Sequence, residues 1–169
     1  LIVRVHGICL VLQKKNRQIL KRVQHLDLYT NNLKGGDESM VQNLWDEASA
    51  PEKDSLQELR YRSNLLGTDR RVCNWGGGNT SFKTIGQDDK GNDVEILWVK
   101  GSGSDLATMN ESNFTGLVLS DMLELKEREK MTDEEMVGYL EHCMISKMHP
   151  RASIETLLHA FLPYKHVDH

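Results

Sequence analysis

Two glycine-rich turns, Gly76-Gly77-Gly78 and Gly101-Ser102-Gly103-Ser104, stand at either end of residues 79–100 and set most of what this chain can become. Between them run two stretches rich in β-branched and aromatic residues, Thr80 to Ile85 and Val94 to Lys100, separated by the turn-forming string GQDDKGND (86–93). This pattern predicts an antiparallel hairpin entered and left through glycine loops. Helical signals surround it. Pro51 suits a first helical turn, Leu56, Leu59 and Leu66 are spaced along one helix, and Gly67 is placed to stop it. Thr115 to Arg128 reads as helical or mixed. Thr132-Asp133-Glu134-Glu135 is a capping box opening a helix that must end before Pro150. Ser153 is expected to cap a short helix from Ile154 to Phe161, stopped by Pro163. A strand is expected to begin within the last residues, Tyr164 to His169. Alternating helix and strand place the chain in the α/β class.

Charge divides the sequence unevenly. The net charge is −4, yet residues 1–39 carry seven Lys/Arg against Asp27, Asp37 and Glu38, so residues 40–169 carry −8. An acidic main segment argues against a nucleic-acid partner gripped through a basic surface. The apolar opening, Leu1 to Leu12, is broken by Arg4 and His6 and falls well short of the roughly 20 residues of a bilayer-spanning helix. Its Lys14-Lys15 pair follows the apolar run, the reverse of a secretory signal. We therefore expect no membrane partner. Residues 1–39 are expected to be a basic leader outside the native domain, with Met40 as the natural start. Cys9, Cys73 and Cys143 stand at no motif spacing, which speaks against a disulfide framework and for a reducing, cytoplasmic setting.

Three segments offer backbone N–H groups and hydroxyls to an anion: Gly77-Gly78-Asn79-Thr80-Ser81, Gly101-Ser102-Gly103-Ser104, and the expected helix start at Ser153. Each alone is an ordinary turn or cap, and their combination points to phosphate. The common nucleotide signatures are missing. No Gly-Lys-Ser/Thr occurs, and Leu106 stands where a dinucleotide fingerprint wants its third glycine. Glu155 is a candidate general base, against a plainer role in helix charge complementarity. His149, His159, His166 and His169 crowd the same region. His166 and His169, three apart, would point to opposite faces of a strand and could not share a metal.

Taken together, GGNTS (77–81), KGSGSDL (100–106), PRASIE (150–155) and HVDH (166–169) occur in an order that resembles the class II sugar-phosphate aldolases of the class II aldolase/adducin family. The likeness is closest to the aldolase part of bifunctional rhamnulose-1-phosphate aldolase/short-chain dehydrogenase proteins, and it covers about residues 40–169. It implies a three-layer α/β/α fold with a mostly antiparallel central sheet, incomplete at its C-terminal side. It also implies that Asn79, Ser102, Gly103 and Ser153 hold the substrate phosphate, that Glu155 is the acid/base carboxylate, and that His169 is the first of three zinc ligands. The family usually carries two hydroxyl residues before its carboxylate, where Ala152-Ser153-Ile154 offers one serine.

The implied reaction is cleavage of a ketose 1-phosphate, here rhamnulose 1-phosphate, to dihydroxyacetone phosphate and lactaldehyde, with Zn²⁺ as Lewis acid. NAD would enter only through a downstream dehydrogenase domain, and the parent protein is expected to be a homo-oligomer. One histidine and one carboxylate fall short of the three protein ligands of a catalytic zinc, so the chain by itself is expected to be inactive and at best weakly folded. Alternative readings are a sugar-phosphate epimerase or dehydratase of the same superfamily, a non-catalytic adducin-like interaction module, and a nucleotide-binding module built on the glycine loops.

Overall fold

The computed structural model describes residues 2–5, 8–11, 42–128 and 130–169. It divides into two units, Leu1–Gln42 and Asn43–His169. In the first, β1 (Ile2–Val5) and β2 (Ile8–Val11) pair antiparallel, with Ile2 opposite Val11 and Arg4 opposite Cys9. This hairpin is not among the sequence expectations, although both runs are rich in β-branched residues. The leader assignment for residues 1–39 otherwise lies outside the described residues.

The second unit is built on a four-stranded antiparallel sheet in the order β5-β4-β3-β6. The expected hairpin is present as β3 (Thr80–Gln87) and β4 (Asp93–Lys100), in a register that sets Phe82 opposite Trp98 and Gln87 opposite Asp93. β5 (Phe114–Val118) pairs with β4, and β6 (His166–Asp168) pairs with β3, so the expected final strand also forms. The stretch read as helical or mixed is mixed: β5 passes directly into α2 (Leu119–Glu124) and then a 3₁₀ turn, Leu125–Glu127.

Strand alternation separates two cores. Leu97 and Val99 of β4 and Leu117 of β5 face α2, α3 (Asp133–Cys143) and α4 (Thr156–Phe161), packing with Met122, Leu140, Leu157 and Ala160. Phe82, Trp98 and Phe114, one residue out of phase, pack on the opposite face with Leu59 of α1 (Leu56–Thr68) and Leu106. Helices therefore cover both faces of an antiparallel sheet, the three-layer α/β/α arrangement that the resemblance implies. Leu59, Leu97 and Leu117 are wholly buried, each worth roughly 1.5–3 kcal/mol of apolar transfer.

Helix boundaries follow capping chemistry. Thr132 and Glu135 form the expected box, Glu135 N–H donating to Thr132 Oγ1 at 3.2 Å and Thr132 N–H to Glu135 Oε2 at 2.8 Å. α1 starts later than Pro51 suggested. Ser55 is its cap, accepting from Glu58 N–H at 3.0 Å, so a Ser-x-x-Glu signature outweighs the upstream proline. Gly67 does not stop the helix but lies in its last turn. A Cβ there would stand 2.1 Å from the Ala107 backbone nitrogen, so this glycine admits the chain after Leu106 against the helix. Ser153 is not the cap of α4 either. The cap position is Glu155, with no side-chain capping bond, and Ser153 instead begins the turn that leads into Thr156. Among the described residues no helix is long and apolar enough to cross a membrane.

Candidate functional site

The three segments singled out as anion-binding converge. β3 and β6 run on past their assigned ends: Asn79 N–H donates to His169 O at 2.7 Å, and His169 N–H returns to Asn79 O at 2.9 Å. From this edge the Asn79 side chain donates through Nδ2 to Ser153 Oγ at 3.1 Å. On the neighbouring strand Gly101 bridges Ala152, and Ser102 N–H donates to Arg151 O at 2.8 Å. Asn79 and Ser153 thus meet directly, and Ser102 is tied by its backbone to Arg151, two residues before Ser153. Gly103 turns beside them with φ +85°, a conformation that glycine adopts freely. Asn79 is buried, and its Oδ1 has no hydrogen-bond partner among the described residues.

Asp105 locks the first two loops to each other. It accepts both Arg70 guanidinium nitrogens at 3.2 Å, Gly76 N–H at 2.9 Å and Ala107 N–H at 2.9 Å. These bonds, the Arg70 contact foremost, hold its carboxyl down at about 2. Its task is architectural, since its oxygens are committed to the protein.

Sequence reasoning overlooked Lys100. This residue is 5% exposed at the end of β4, directly before the second glycine loop, and among the described residues its ammonium donates to Gly76 O alone, at 3.4 Å. Burial lowers its pKa, while the charges of Cys73, Glu155 and Asp105 oppose that shift. A cation ending an apolar strand run was the available signal, because a buried ammonium needs a partner. Glu155, at the head of α4, acts electrostatically on both Lys100 and His169.

His169 is exposed, and partial burial lowers its pKa against the opposing charges of Glu155 and Asp168. Its ring lies against that of His159, with centroids 5.0 Å apart. His159 is fully buried, meets Ser81 Oγ through Nδ1 at 2.7 Å, and is held neutral, its pKa pushed down to about 3, chiefly by burial. A cavity of about 390 Å³ takes in Cys73, Gly77, Gly78, Leu106, Asp168 and His169. It adjoins the converging loops through Gly78 and His169 and does not contain the other candidates.

The structure keeps His166 and His169 apart, as strand spacing requires. His166 Nε2 lies 3.0 Å from Asp54 Oδ1 and 3.8 Å from Glu58 Oε2, a group of three whose ligand atoms fall within 4.8 Å of one another and could hold a metal. Both carboxylates already have cations, Lys165 on Asp54 at 2.6 Å and Arg62 on Glu58 at 2.9 Å, and Arg62 also meets Asp168 at 2.8 Å. This network ties β6 to the start of α1. His169 belongs to no group of three potential ligands among the described residues. One neutral imidazole within the field of a carboxylate fits part of a zinc ligand set.

The three-layer fold is class II aldolase-like, and comparison with known proteins shows the likeness. No family model matches the chain. The structure is similar to the N-terminal class II aldolase domain of a conserved Thermoplasma acidophilum protein, with TM-score 0.71 and 44% identity, over 77% of this chain and 60% of that one. The sequence is 63% identical over 131 residues to an uncharacterized oxidoreductase of Bacillus subtilis, covering 77% of this chain and 19% of the relative. The chain therefore spans about a fifth of that curated relative. The resemblance to class II aldolases holds in fold and in sequence.

Proposed function

We propose that residues 40–169 supply the phosphate-binding and acid/base part of a zinc-dependent class II aldolase acting on a ketose 1-phosphate, with rhamnulose 1-phosphate as the first substrate to test. The Asn79–Ser153 bond, together with the tie between Ser102 and Arg151, carries this reading, and the buried Lys100 stands directly before the second glycine loop. A side-chain amide, hydroxyls and one desolvated cation form a set suited to a phosphate group. Asn79, Ser102, Gly103 and Ser153 would anchor the phosphate, and Lys100 would neutralise it. Anchoring there would orient the reacting carbons, so that remote binding energy lowers the barrier at C3–C4.

As the C3–C4 bond breaks, the C4 hydroxyl would give up its proton to become the lactaldehyde carbonyl, and Glu155 would deliver a proton to C3 to complete dihydroxyacetone phosphate. A zinc ion held with His169 as one ligand would supply Lewis-acid polarisation of the ketose oxygens. Further ligands would have to come from outside the described residues. The relative's description as an oxidoreductase supports an aldolase/dehydrogenase fusion as parent, with NAD serving only the second activity. A cytoplasmic homo-oligomer without nucleic-acid or membrane partners completes the proposal.

The test is a coupled assay for dihydroxyacetone phosphate. It uses the full-length protein with rhamnulose 1-phosphate, fuculose 1-phosphate and ribulose 5-phosphate, each with and without chelator. Chelator-sensitive release of dihydroxyacetone phosphate, lost in Glu155→Gln, is expected. C4 epimerisation of ribulose 5-phosphate without cleavage would move the assignment to an epimerase.

A further inference from the structure

The histidine behind the candidate metal ligand is only half satisfied. His159 is fully buried in α4, and its Nδ1 lies 2.7 Å from Ser81 Oγ. The Ser81 hydroxyl in turn reaches Val167 O at 3.3 Å. The single Ser81 proton has two acceptors in reach, Val167 O and His159 Nδ1; given to Val167 O, it leaves Oγ to receive Nδ1–H and Nε2 as a bare lone pair, the arrangement on which the proposal below is built. Nε2 has no hydrogen-bond partner among the described residues. A buried acceptor without a donor is an unusual expense in a folded core.

The ring beside it belongs to His169, with centroids 5.0 Å apart and planes 39° from parallel. Two five-membered rings at that separation can bring two nitrogens within hydrogen-bond reach when they turn edge to edge. His169 is free to turn, because it is exposed while His159 is packed on every side. His169 also has a ring N–H to offer in its neutral form. Its backbone is pinned by the reciprocal bonds to Asn79, so only the side-chain torsions need change.

We propose that His159 is a positioning residue for His169: its bare Nε2 receives the His169 ring N–H, fixing that ring's tautomer and leaving the other nitrogen as a lone pair for a divalent metal. Ser81 and Val167 set the acceptor, His159 relays the choice, and His169 presents the ligand atom. Metal-bound histidines are commonly oriented by such an outer hydrogen bond. Only the final clause, the metal, rests on the function proposed above. The tautomer and orientation are properties of the metal-free protein.

The experiment reads tautomers by long-range ¹H–¹⁵N correlation in the metal-free, ¹⁵N-labelled full chain. His159 is expected as Nδ1–H and His169 as a single tautomer. His159→Phe should leave His169 a mixture, whereas His159→Gln, whose amide oxygen can take the place of Nε2, should restore one form. An Nε2–H proton on His159, or an unchanged His169 in the Phe variant, overturns the proposal. Cobalt(II) titration of the same proteins adds a second reading. The Phe variant should bind about 10–100-fold more weakly and the Gln variant within about threefold of wild type. Equal cobalt affinity in wild type and Phe variant overturns the positioning role. Absence of cobalt binding by wild type overturns the metal reading alone, and the tautomers still decide the fate of His159.

Discussion

Asn79 Nδ2 donates to Ser153 Oγ at 3.1 Å, joining two residues 74 positions apart and fastening the edge of β3 to the turn before α4. The bond draws one amide and one hydroxyl of the proposed phosphate cradle into a single unit. Asn79→Ala should therefore loosen both. The loss of a neutral, part-buried hydrogen bond corresponds to about 1 kcal/mol of stability. Phosphate binding should weaken more than stability does, because Ser153 loses its orientation as well. Calorimetric titration with dihydroxyacetone phosphate, beside a urea unfolding curve, separates the two effects. Unchanged phosphate affinity in Asn79→Ala would remove Asn79 from the cradle.

Lys100 gives a prediction of opposite sign for stability and binding. Burial keeps its amine below the ordinary 10.5, so the folded chain binds fewer protons than the unfolded chain between the two values. Stability must then rise with pH across that window, and the cost of the buried charge is fully present below it. Lys100→Met should raise the Tm of the ligand-free protein and weaken phosphate binding by about tenfold or more. A purely structural lysine would lower Tm on replacement and leave phosphate affinity alone.

What the sequence showed, and what it hid, follows from the range of the interactions. The 80–100 hairpin and the Thr132–Glu135 cap are written in neighbouring residues, and both are present. The start of α1 was misplaced because Pro51 and Ser55 compete, and a hydroxyl that accepts an orphan N–H outweighs a residue that merely tolerates the position. Ser153 looked like a cap because cap residues and site residues share the same chemistry. Its partner, Asn79, lies far away in sequence. Lys100 was masked by its place at the end of an apolar strand run. The role of His159 depends on which nitrogen meets Ser81, a relation that no spacing encodes.

Gly67 tests how closely α1 must approach the Leu106–Thr108 turn. An added Cβ would stand 2.1 Å from Ala107 N and 2.5 Å from Leu106 C, both backbone atoms that cannot swing aside. Gly67→Ala should destabilise by about 1–3 kcal/mol or more, despite the better helix propensity of alanine. A urea midpoint equal to or above that of the wild type would show that the turn has room to retreat.

Acid should unfold this domain partly through His159. Its pKa falls from 6.5 to about 3 on folding, mainly through burial, so below 6.5 the unfolded chain takes up a proton that the folded chain refuses. Stability should fall as pH drops from 6.5 towards 3, by up to about 1.4 kcal/mol per pH unit from this group. His159→Gln should flatten that limb while leaving the neutral-pH midpoint comparatively close to wild type. Urea midpoints measured at intervals across the acid range provide the check, and an unchanged slope in the Gln variant would assign the acid transition to other groups.

Two clusters compete for a divalent cation, and their electrostatics favour different outcomes. Asp54, Glu58 and His166 have the better ligand geometry, but Lys165 at 2.6 Å and Arg62 at 2.9 Å already neutralise the carboxylates, so a metal would have to displace both cations. His169 is a neutral imidazole, exposed and in the field of Glu155, with no ion pair to break among the described residues. Cobalt binding to the full-length protein should therefore survive His166→Ala and be lost in His169→Ala. His166→Ala should act instead on the attachment of β6 to α1, lowering Tm because the buried Asp54 Oδ1 loses its neighbour. The reverse pattern, with cobalt lost on removal of His166 and kept on removal of His169, would place the metal at the head of α1 and detach it from the phosphate cradle.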